Sequence, residues 1–161
     1  MIIIAPHSIL HTISKRVEEV TPEIQNILQS ILQAANENNA IGLAASHIGI
    51  NLQLVVININ TPIFMINPKI LWRSQSTVMS EEGSVSFPGI IVQIQRHTHI
   101  QVKYLNYDGI EEMKNFEKQT AICIQHEIDQ MNGITILDSF SPLKRDLYLK
   151  KVQKYVKMHK K

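Results

Sequence analysis

Residues 98–105 alternate strictly, with Ile100, Val102 and Tyr104 apolar where His99, Gln101 and Lys103 are polar. Successive side chains on a strand point to opposite faces, so this period of two predicts a strand with one wet face and one that needs cover. Asn106, Tyr107, Asp108 and Gly109 supply turn chemistry, and residues 110–116 read as a partner strand, making an antiparallel hairpin. Such a sheet requires a second layer over its dry face. The following segment is a candidate, because residues 118–131 read as a helix that Asn132 and Gly133 stop.

An earlier helix begins at Thr21-Pro22-Glu23, an N-cap, a proline at the first helical position and an acid in the first turn. Ile24, Ile27, Leu28, Ile31, Leu32 and Ala35 repeat at helical spacing until Asn38-Asn39. Residues 52–59 read as a buried strand, 64–67 and 70–72 as two short extended pieces around Pro68, and 90–95 as another strand. Past Ser141-Pro142, a third helix carries an apolar stripe of Leu143, Leu147, Val152, Tyr155 and Val156. This order reads as α+β with mainly antiparallel sheet. A length of 161 residues predicts a single domain over residues 1–161. No apolar run approaches the ~20 residues of a membrane span. Met1 to Ala5 has no basic flank and ends at Pro6, unlike a signal peptide. The lone cysteine, Cys123, excludes an internal disulfide and fits a reducing cytoplasm.

The net charge of +2 conceals an imbalance: residues 144–161 carry eight bases and one acid, which leaves −5 on residues 1–143. The basic helix, about residues 142–159, reads either as a surface for an anionic partner or as a lysine-rich solubilising face.

Three segments could carry chemistry. His126-Glu127-Ile128-Asp129-Gln130 puts positions 126 and 130 on one helix face, the spacing at which two imidazoles hold a metal beside a glutamate base. The second position here is glutamine, so by itself the segment reads as an ordinary helical pair rather than a metal site. Ala40-Ile41-Gly42-Leu43-Ala44-Ala45-Ser46-His47 is a run of small residues that permits close backbone approach or simply tight packing. Glu82-Gly83-Ser84-Val85-Ser86 opens a turn-rich stretch that alone reads as a loop.

In this order and at these separations, the three segments resemble the peptide deformylases, metal hydrolases that remove the formyl group from N-terminal methionine. The family's motifs are G-x-G-x-A-A-x-Q, E-G-C-x-S and H-E-x-D-H. Val17-Glu18-Glu19-Val20, Ile66-Asn67-Pro68, Arg96, Ala121-Ile122-Cys123-Ile124 and Ser141-Pro142-Leu143-Lys144 extend the likeness over nearly the whole chain. The resemblance implies a deformylase α+β fold with the His126 helix packed across antiparallel strands. It puts Glu127, His47, Gly42 and Val85 in the catalytic set, and His126, Ser84 and Gln130 at the metal-ligand positions. It implies iron or zinc as cofactor, nascent N-formylmethionyl peptides as ligands, and ribosome docking through the basic C-terminal helix, with no role for DNA or membrane. The methionine pocket maps onto Ile41, Ile122, Cys123 and Gln119, and the polar Gln119 disfavours a thioether unless it turns to solvent.

The departures bear on activity. Ser84 stands where the family has cysteine, Gln130 where it has the second histidine, and His47 where it has the glutamine that binds the formyl oxygen. A hydroxyl and an amide are poor substitutes for thiolate and imidazole. A metal lowers the pKa of bound water from 15.7 to about 7, on the order of 12 kcal/mol of proton-removal free energy. Glu127 alone is far too weak a base to replace that. The expectation is a degenerate deformylase-like protein whose metal site is dismantled. The alternative is an active deformylase with a rebuilt, weaker site in which His47 and His126 are joined by Ser84 or a carboxylate. A serine-hydrolase arrangement of Ser84 and His126 lacks a nucleophile-elbow sequence, and Ser84 reads better as a polar plug bonded to Gln130 or His126.

Overall fold

Helix α1 (Pro22–Glu37) starts where Thr21 caps it, its side chain accepting from the Ile24 N–H, and stops at Asn38. Leu28, Ile31, Ala34 and Ala35 form its buried face. The structure, a computed structural model, describes residues 1–160; Lys161, last of the basic run, lies outside the described residues.

Five strands, β1 (Gly42–Ala44), β2 (Leu54–Ile57), β3 (Ile63–Arg73), β6 (His99–Leu105) and β7 (Glu111–Glu117), form one antiparallel sheet in the order β1-β2-β3-β6-β7. Strands β4 (Thr77–Ser84) and β5 (Phe87–His97) make a separate hairpin. All four residues of β2 are buried because helices cover both faces of the sheet. Leu54 and Val56 pack with α1, whereas Val55 and Ile57 pack with helix α2 (Lys118–Met131). The alternation of residues 98–105 resolves as expected: Ile100, Val102 and Tyr104 enter the core under α2.

Three expectations need correction. The two pieces around Pro68 are one strand, β3, whose register against β6 shifts between Ile66 and Lys69. The irregularity centres on Asn67, at φ 52°, whose side chain bonds both the N–H and the carbonyl of Val17. The turn-rich stretch that opens at Glu82 is not a loop throughout: Glu82 to Ser84 end strand β4 and Phe87 to Gly89 begin β5, because the two strands pair as a long hairpin. The stripe on helix α3 (Pro142–Met158) is also displaced. Leu143 and Leu147 are 74% and 54% exposed, whereas Tyr155 and Val156 are part-exposed, the Tyr155 ring lying against Gly89. Tyr148, Leu149 and the fully buried Val152 face the β4–β5 hairpin instead, Tyr148 and Leu149 standing four and three residues before Val152 on one helix face. Among the described residues, no helix is long and apolar enough to cross a membrane.

Candidate functional site

Helix α2 is buried nearly all round, so its polar residues must find partners inside the protein. Gln125 does so on the backbone of His97, accepting from its N–H at 3.0 Å and donating to its carbonyl at 2.8 Å. Gln130 donates to the Leu10 carbonyl at 2.8 Å. Asp129 accepts from Arg96 Nη1 at 2.6 Å. The remaining two, His126 and Glu127, face a cleft of about 850 Å³.

Three segments meet there. Strand β1 contributes Gly42 and the 3-10 turn Ala45–Ile48 contributes His47, both from the small-residue run. The end of β4 contributes Glu82, Ser84 and the adjoining Val85, and α2 contributes His126 and Glu127. A glycine is required at 42, since a Cβ there would stand 2.6 Å from Cys123 Sγ and 3.2 Å from Glu127 Cγ. β1 is also a sheet edge. The Asn58 N–H donates to the Ile41 carbonyl, and the alternation of antiparallel pairing therefore turns the Gly42 peptide groups toward the open side.

Glu82 anchors the floor. Arg96 grips it in a fork, Nε to Oε2 at 2.8 Å and Nη2 to Oε1 at 2.7 Å, and His126 Nδ1 reaches the same Oε1 at 2.8 Å. Burial pushes this carboxyl up, but the bonds from Arg96 and His126 prevail and hold it at about 2. His126 is likewise pushed down by burial, then raised above its ordinary value by the Glu127 and Glu82 carboxylates. Burial pushes Glu127 up, but the neighbouring His126 and His47 together prevail and hold it below the usual range. Its Oε1 lies 3.4 Å from His126 Nε2 and 3.6 Å from His47 Nε2, close enough for charge contact but loose for hydrogen bonds. His47 is fixed through Nδ1, 2.8 Å from Ser86 Oγ.

The structure thus brings Gly42, His47, Ser84, Val85, His126 and Glu127 to one cleft but not Gln130. That side chain turns to Leu10 and borders a small depression of about 120 Å³ behind His126. The expected plug is not formed either: Ser84 Oγ accepts from the Ser86 N–H at 3.3 Å and bonds neither Gln130 nor His126. The buried carbonyl of Leu10, 120 residues away in sequence, claims the amide instead. Ile41, Gln119, Ile122 and Cys123 line the same cleft, and Gln119 is exposed at its rim. Burial raises the Cys123 thiol well above its ordinary range, so it behaves as core rather than nucleophile.

The implied iron or zinc does not fit these donors. Of the three ligand positions, only His126 offers a metal-binding group toward the cleft, and Ser84 offers a neutral hydroxyl. Among the described residues, no three His, Cys, Asp or Glu side chains are placed to hold an ion. In the sequence Arg96 stands only as a flank of the family match, and its pairing with Glu82 has no local signal because it arises only once β4 and β5 pair.

The sequence model of the polypeptide deformylase family matches residues 1–146. A peptide deformylase of Phenylobacterium zucineum is 35% identical over 162 residues, covering 97% of this chain and 96% of its own. A protein of Rickettsia conorii described as peptide deformylase-like is 39% identical over 163 residues, covering 98% and 89%. The crystal structure of peptide deformylase from Ehrlichia chaffeensis superposes with a TM-score of 0.93 at 32% identity, covering 98% of this chain and 96% of that one.

Proposed function

The chain belongs to the polypeptide deformylase family, and we propose that within it this protein is a catalytically impaired member that retains the peptide cleft and has lost the hydrolytic centre. The donor set carries this reading: of the thiolate and two imidazoles the family uses, His126 alone has a counterpart, while Gln130 is committed to Leu10. The remaining groups do not generate a nucleophile. Glu127 is held below the ordinary carboxylate range by His126 and His47, which makes it a still weaker base toward bulk water. Iron or zinc, which would supply an acidified water, finds too few ligands for tight binding.

What the cleft can still do is bind. Ile41, Ile122 and Val78 offer apolar wall beside the open edge of β1, a setting for the extended N-terminal end of a nascent chain. Lys150, Lys151, Lys154 and Lys157 are exposed on α3 with Leu143 and Leu147, a basic-apolar surface suited to ribosomal RNA in the cytoplasm.

One observation favours the alternative, an active deformylase with a rebuilt weak site. Both His47 Nε2 and His126 Nε2 approach Glu127 Oε1, so a modest shift would give two imidazoles and a carboxylate. Metal content of the purified protein, measured beside turnover of a formyl-methionyl peptide, separates the two. Substoichiometric metal with no turnover fits impairment; turnover that tracks added iron or zinc overturns it.

A further inference from the structure

Two buried polar atoms at the floor of the cleft have no hydrogen-bond partner in the protein: Glu127 Oε2 and His47 Nε2. The first is an acceptor only. The second is an acceptor whenever His47 carries its proton on Nδ1, where Ser86 Oγ can receive it. Ser84 Oγ, bordering the same cleft, accepts one N–H from Ser86 and has a lone pair to spare. The His126 Nε2–H faces Glu127 Oε1, so in the Nδ1–H tautomer of His47 the floor is left with two acceptors, Glu127 Oε2 and His47 Nε2, that lack donors. A formyl cap is poorly matched to it, because its carbonyl oxygen needs donors and would meet a carboxylate. We propose that this cleft receives the free α-ammonium of a peptide N-terminus, so that the protein binds already deformylated chain ends in preference to formylated ones.

The ammonium brings three N–H donors to Glu127, His47 and Ser84, and bonds of this charge-assisted kind are the stronger ones. Charge agrees with the geometry. Even with His126 counted as a cation, Glu82, Glu127 and Asp129 set three carboxylates against His126 and Arg96, leaving one negative charge in excess. The residue after the ammonium lies among Ile41, Ile122 and Cys123, which suits an aliphatic or thioether side chain. The inference rests on the impaired-deformylase reading and names the ligand of that same cleft.

Calorimetric titration of the full chain with one methionyl tripeptide in three forms, free, N-formyl and N-acetyl, tests it. The free amine is expected to bind at least about tenfold tighter than either capped form. Glu127→Gln, which exchanges a carboxylate oxygen for an amide donor, is expected to remove that preference while the capped forms still bind. His47→Gln also introduces a donor and should narrow the preference, which keeps the test intact if E127Q does not fold. Equal or tighter binding of the formyl peptide without turnover overturns the inference and leaves the impaired reading standing. Hydrolysis of the formyl peptide, or no binding of any form, overturns both.

Discussion

Replacing Arg96 with methionine should destabilise the protein strongly at neutral pH and much less in acid. Arg96 is buried and donates to two carboxylates through three bonds of 2.6–2.8 Å. Methionine fills comparable volume but leaves Glu82, itself buried, with His126 as its remaining charged partner. Removing one member of a buried ion pair costs about 3–5 kcal/mol. For a chain of this size each kcal/mol lowers Tm by about 2–4 °C, so a loss of roughly 6–20 °C is expected at pH 7. The pH dependence follows from Glu82, whose folded pKa of about 2 lies below its ordinary 4.5. A depressed carboxyl contributes stability that is fully present above pH 4.5 and lost as pH falls toward 2, here about 3 kcal/mol. The variant lacks most of that contribution, so the gap between the two proteins should close as pH drops from 5 toward 2.5. Urea denaturation of both proteins across that range is the assay. A gap that stays constant with pH, or a Tm loss under about 2 °C at pH 7, would refute the assignment of Arg96 and Glu82 as the site's anchor.

Gly42→Ala should cost about 1–3 kcal/mol, since its methyl would meet Cys123 Sγ at 2.6 Å, and Cys123→Ala in the same chain should recover part of it; thermal melts of the single and double variants decide this. Ser84→Cys with Gln130→His should restore divalent metal binding, measured by metal analysis after dialysis, because a histidine at 130 can keep the Leu10 bond through Nδ1 and turn Nε2 to the cleft. Turnover of a formyl peptide should then return only partly until His47→Gln restores an amide donor for the oxyanion. Reversing Lys150, Lys154 and Lys157 to Glu should abolish salt-sensitive co-sedimentation with ribosomes, and unchanged co-sedimentation at low salt would make α3 mere soluble surface.

Local chemistry determined much of this molecule on its own. Thr21 and Ser141 cap the helices that follow them, and helix α2 occupies the residues its stop signal implied, because caps and turns act within a few positions. The alternation of Ile100, Val102 and Tyr104 likewise carried its own facing. The three motifs disclosed the family and its departures, Ser84 and Gln130 at two of the metal-ligand positions and His47 at that of the oxyanion glutamine. Tertiary structure decided what depends on distant partners. Residues 77–84 became a strand because β5 pairs with them, and α3 turned Tyr148, Leu149 and Val152 inward because the β4–β5 hairpin is what it packs on. Gln130 left the site because a buried carbonyl at Leu10 needed a donor. The two buried polar atoms without partners, on Glu127 and His47, exist only because three segments separated by dozens of residues converge, so no local pattern could reveal them.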